Sequence, residues 1–77
     1  MNGRYQYNIV TGFNEMAGKY AARLSYFKIV DNGKIISDQI PAELRGEVMD
    51  RIQSKARREI QNRVDQWIDQ DKLTLVQ

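Results

Sequence analysis

The sequence predicts an α+β fold: a three-stranded antiparallel meander packed against one long C-terminal amphipathic helix, with the apolar tail at 73–76 read as either a short fourth edge strand or a flap over the helix end. Three observations carry this. Residues 4–11 and 19–30 alternate in the two-residue period of strands, an Asn-Gly pair stands at 32–33, and apolar residues from Leu44 onward recur every three or four positions.

In the first strand, about 4–11, Tyr5, Tyr7 and Ile9 alternate with Arg4, Gln6 and Asn8, and the aromatic and β-branched residues suit a half-buried sheet. Residues 12–18 read as a loop, two glycines enclosing Phe-Asn-Glu-Met-Ala. The second strand, about 19–30, breaks parity. Tyr20, Ala22 and Leu24 share one face, whereas Phe27 and Ile29 fall on the other. A one-residue bulge near Ser25 would bring both sets to the core. The other reading is a strand apolar on both faces toward its end.

Asn32-Gly33 accepts the positive φ angles of a type I′ turn, whose twist matches its flanking strands. That turn sets Asp31 opposite Lys34, Val30 opposite Ile35 and Ile29 opposite Ile36, with the third strand ending near 38.

Pro41 suits a first helical turn, where its missing N–H has no partner, and Glu43, Glu47 and Asp50 follow at the positive end of the dipole. The predicted helix therefore spans about 41–70, with Ile40 and Leu44 as a hydrophobic staple. Its apolar positions are 44, 48, 49, 52, 56, 60, 64, 67 and 68. Gly46 is the weak point, marking a kink or a separate first turn.

That helix would extend about 45 Å, against about 25 Å for a strand of seven or eight residues. A three-stranded sheet would shelter half of it and leave Val64, Trp67 and Ile68 uncovered. The 73–76 tail folding back, two chains pairing through their helices, or a docked protein would each hide them. Trp67 capping the core of its own chain is the plainer reading.

Composition bounds function more firmly than it assigns it. The 77 residues make one small domain, with 42% hydrophobic and 29% charged residues and a net charge of +2. The absence of cysteine excludes disulfides and thiolate chemistry, and the absence of histidine removes the commonest general base and metal ligand. No cofactor, metal or catalytic motif is expected, and the chain reads as a non-enzyme. It shows no signal peptide or membrane span, so a cytoplasmic protein with no membrane partner is expected.

Candidate partner-binding residues lie in three places. Arg51, Lys55, Arg58 and Asn62 form a polar line opposite the apolar stripe, able to follow a phosphate backbone or an acidic protein. Asp65 and Asp69 end the helix with charge that opposes its dipole, so a basic partner or a second antiparallel copy would suit them; Trp67 and Ile68 would anchor such an interface. Tyr26 and Lys28, with Arg4, Gln6 and Asn8, share the sheet face turned from the helix, where rings among amides and cations suit nucleotides or protein. Each place also reads as ordinary solvated surface.

The strand–strand–strand–helix layout resembles that of several small phage-encoded inhibitors, including some anti-CRISPR proteins. It also resembles the small arm-binding domains of tyrosine integrases, which lay a three-stranded sheet into a DNA groove. The resemblance covers layout alone. It implies a non-catalytic protein that occupies a surface of a larger assembly, with a nucleic-acid module or a structural homodimer as alternatives.

Overall fold

The computed structural model describes residues 4–76, with side chains through Asp71. Four strands and one helix follow in order: β1 (Tyr5–Asn14), β2 (Lys19–Asp31), β3 (Lys34–Ser37), β4 (Val48–Asp50) and α1 (Gln53–Val76), with a single 3-10 turn at Ala42–Leu44. The architecture is α+β, an antiparallel sheet with one C-terminal helix on one face. β2 is the spine: β1 pairs along one side of it, while β3 and β4 share the other side at opposite ends.

The hairpin of β1 and β2 is longer than the alternation at 4–11 suggests. Gly12↔Ala21, Phe13↔Tyr20 and Asn14↔Lys19 continue the ladder through residues read as loop. The turn is held by Asn14, whose Oδ1 accepts the Ala17 N–H and whose carbonyl accepts the Gly18 N–H. Midway, Asn8 faces Tyr26 and Ile9 faces Leu24, leaving Ser25 as the extra residue. This bulge restores parity, so Ala22, Leu24, Phe27 and Ile29 all meet the helix. The Ser25 hydroxyl donates to the Asn8 carbonyl and accepts from Asn8 Nδ2, which ties the bulge to β1.

Asn32 and Gly33 take φ of 51° and 76°, as a type I′ turn requires. Val30 pairs with Ile35 as expected, but Ile29 faces Ser37, because a second irregularity leaves Ile36 unpaired and 57% exposed.

The helix is where the sequence misled. It begins at Gln53, twelve residues after position 41 and so at a different site from Pro41. Pro41 opens only the 3-10 turn, Arg45 is extended, and Gly46 sits at φ +96°. That left-handed angle is one a helix cannot propagate through and a side chain rarely adopts. Residues 48–50 then pair with β2 as β4, which is the fourth strand in place of 73–76; there the helix continues to Val76. Asp50 Oδ1 accepts the Ile52 N–H at the helix entry. Leu44 and Val48 are both buried, so the apolar spacing at 44 and 48 is real without being helical, whereas Met49 and Ile52 of the predicted stripe are exposed.

This corrects the length argument as well. At about 1.5 Å per residue α1 extends about 36 Å, whereas β2 extends about 43 Å, so the sheet outreaches the helix. The longest principal extent of the molecule is 44 Å, close to the length of β2. Val64 is fully buried, and Trp67 and Ile68 pack on the core formed by Ile9, Ala22, Leu24, Phe27, Leu44, Val48, Ala56 and Ile60. Trp67 meets Phe27 edge-on at 5.3 Å and Tyr5 edge-on at 6.4 Å, while Tyr7 stacks on Phe27 at 5.9 Å. These side chains find their partners within the chain.

Candidate binding faces

The two faces of the β1–β2 hairpin differ in kind. On the covered face, polar side chains are used to fasten the helix. Gln53 Nε2 donates to the Thr11 hydroxyl, Gln61 Nε2 donates to the Tyr7 hydroxyl, and Tyr5 donates to Asp71. Three bonds thus pin α1 along β1. Burial raises the Tyr5 pKa above its ordinary value, and the bond to Asp71 raises it further by favouring the protonated phenol.

On the open face, alternation places Gln6, Asn8, Val10 and Gly12 on β1 beside Ala21, Arg23, Tyr26, Lys28 and Val30 on β2, with Lys19 and Asn14 at the hairpin end. Tyr26 and Lys28, two residues singled out in the sequence, stand together here: the Lys28 ammonium lies 5.3 Å from the centre of the Tyr26 ring, which is 43% exposed. Arg4 does not join them. Its guanidinium lies 5.8 Å from the Tyr5 ring centre and 3.9 Å from Asp31, at the side of the sheet.

A groove of about 560 Å³ runs over the far half of this face, lined by Val10, Gly12, Ala21, Arg23, Ser25 and Glu47. Gly12 forms part of its floor. A Cβ built there would meet nothing within 4 Å, and the backbone does not have positive φ at that position. Neither packing nor conformation within the chain explains a glycine in mid-strand, a position where it weakens a sheet. Close approach by something outside would.

The helix presents the other candidate face. Lys55, Arg58, Asn62, Asp65 and Asp69 are all exposed and recur at alternating three- and four-residue steps opposite Ala56, Ile60 and Val64. Arg51 lies just ahead of the helix, exposed in a bend. Asp65 accepts from Gln61 Nε2 at 2.9 Å, and Glu59 pairs with Arg63 at 3.3 Å. Trp67 and Ile68 face inward from this line, so the structure separates them from the charges they were grouped with.

Sequence reasoning missed Lys19, Arg23 and Gly12, because the hairpin was cut short and Gly12 was read as a turn residue. Phe13 and Tyr20, which continue the alternation on both strands, carried the signal; their rings meet edge-on at 5.1 Å. Past them, Met16 is 101% exposed at the hairpin tip.

Among the described residues, no group of three or more acidic, histidine or cysteine side chains could hold a metal ion. Among them too, no helix is long and apolar enough to cross a membrane. No family model matches the chain, and neither a curated protein nor a solved structure matches it.

Proposed function

We propose that this is a non-catalytic binding protein of the cytoplasm whose open sheet face holds nucleic acid. One observation carries the reading. Lys19, Arg23 and Lys28 run along β2 next to Gln6 and Asn8 on β1, with Tyr26 between Arg23 and Lys28 and the bare floor of Gly12 beside them. Cations would meet phosphates, amides would meet base edges, and the ring would meet a base or sugar. β4 flanks β2 at Tyr20–Ala22, so the hairpin is a two-stranded ribbon only from Asn14↔Lys19 to its tip, and that part is narrow enough for the major groove of B-DNA, about 12 Å wide. The sheet's outreach past the helix supports the reading, since the hairpin end could enter a groove while α1 stays outside it.

Fluorescence anisotropy with labelled duplex DNA and RNA tests this. Three phosphate contacts predict a log–log salt slope near about −2.7, so affinity should fall about 40-fold between 50 and 200 mM salt. The pair Lys19→Glu and Arg23→Glu should abolish binding, and Lys55→Glu should leave it near wild type. Absence of binding to either nucleic acid at about 50 mM salt would reject the reading.

The exposed Met16 and Phe13 favour a second reading, that the hairpin tip seats in an apolar pocket of a protein assembly. That is the behaviour the resemblance to phage-encoded inhibitors implies. Under it, Met16→Asp would abolish capture of the assembly, and salt would matter little.

A further inference from the structure

We infer that the outer face of α1 is a self-pairing surface, on which a second copy of this chain lays its own helix antiparallel. This surface lies on the opposite side of the molecule from the open sheet face, so it stands or falls independently of nucleic-acid binding. The outward stripe Lys55, Arg58, Asn62, Asp65, Asp69 has the three-four spacing by which two helices meet along a seam. Its charges are sorted: both cations lie in the first half and both acids in the second.

At its start that order is the reverse of what an isolated helix favours. The first turn of α1 holds Lys55 and no acid, so the cationic end of the stripe opposes the dipole. Among the described residues neither Lys55 nor Arg58 is paired within the helix, where Glu59 pairs with Arg63 and Asp65 with Gln61. An antiparallel copy resolves both mismatches. With the two-fold axis near Asn62, Lys55 faces the second copy's Asp69, and Arg58 comes within one residue of its Asp65. Lys55 and Asp69 are about 21 Å apart on one helix, so the two ion-pair sets sit at opposite ends of the seam with Asn62 against Asn62 between them. Antiparallel alignment also opposes the two macrodipoles favourably. The occupant is therefore a second copy, because the sorting is self-complementary and a uniformly acidic or basic partner would match only half of it.

A seam of exposed ion pairs is weak and screened by salt, so it belongs to association at high concentration. Sedimentation equilibrium at about 0.5 mM protein should show dimer at about 20 mM salt and monomer at about 0.5 M salt, where the Debye length shrinks to a few Å. The pair Lys55→Glu, Arg58→Glu and the pair Asp65→Lys, Asp69→Lys should each be monomeric alone. Mixed in equal amounts they should form a heterodimer. Because the natural chain has no cysteine, Asn62→Cys gives a second readout that needs no charge reversal. It should oxidise rapidly to a linked dimer, whereas Glu15→Cys at the hairpin turn should not. A wild-type chain that stays monomeric at low salt, charge-reversed variants that still self-associate, or equal crosslinking at 62 and 15 would each overturn the proposal. Self-association surviving charge reversal would point instead to the free edge of β1.

Discussion

The two faces of one hairpin follow different rules. Where β1 and β2 meet the helix, the large side chains are engaged within the chain. Phe27 and Trp67 interlock edge-on, and the hydroxyls of Tyr5 and Tyr7 are bonded to Asp71 and Gln61. Where the same strands face away, Lys28 rests on the Tyr26 ring and Asn8 bonds only to Ser25 of the bulge, while among the described residues Arg23 makes no hydrogen bond or ion pair. The contrast teaches that the covered face answers to folding and the open face to something outside the chain. Substitutions should therefore divide cleanly, with stability tracking one face and binding the other.

The largest effect is expected from Trp67→Ala. Removing a ring that touches both Phe27 and Tyr5 should cost about 3 kcal/mol, the low end for tryptophan because Trp67 is only half-buried. Urea unfolding measures it, and the folded fraction should bind nucleic acid as wild type does. If Trp67→Ala left stability unchanged while removing binding, the assignment of the two faces would be reversed.

A smaller effect of opposite sign comes from Gly12→Val. With open space around its Cβ and no positive φ, valine should stabilise the strand by about 0.5–1 kcal/mol. The same side chain would fill the groove floor and weaken binding several-fold. A variant that becomes more stable and loses function is hard to explain by damage to the fold. One that gains stability and binds normally would remove Gly12 from the site.

The smallest effect belongs to Tyr5 and is confined to alkaline pH. Its folded pKa lies above the ordinary value of about 10, through burial and then through Asp71. As pH climbs past about 10 the unfolded phenol ionises first, so stability that is fully present below that pH is lost as the folded pKa is approached. Chemical unfolding at stepped pH should show wild type losing stability faster than Tyr5→Phe above about pH 10. Parallel curves would mean that Tyr5 is not held by Asp71 in solution.

Much of the fold was legible because local signals agreed. Asn32-Gly33 dictates its turn through φ alone, and the parity break between Leu24 and Phe27 demands a bulge that the structure places at Ser25. The helix start was not legible from apolar spacing, since Leu44, Val48, Ile52 and Ala56 are four apart whether or not the chain is helical. Only Gly46 spoke against it, and a single glycine costs about 1 kcal/mol in a helix, too little to decide by itself. The tertiary pairing of Val48 with Ala22 decided it, and that contact joins residues far apart in sequence. The same long-range pairing hid the site. Arg23 and Gly12 acquire meaning only once Gly12↔Ala21 and Val10↔Arg23 are set side by side. By contrast Tyr26 and Lys28 were visible at once, because a two-residue spacing on a strand suffices to bring them together.

The central claim is that the open sheet face does the binding. It is tested most directly by titrating the isotopically labelled protein with a mixed-sequence DNA duplex at about 50 mM salt and following its amide resonances. The account predicts shifts concentrated at Gln6, Asn8, Val10, Gly12, Arg23, Tyr26 and Lys28, with the helix from Lys55 to Asp69 unmoved. Shifts confined to Lys55 and Arg58, or none anywhere, would contradict it.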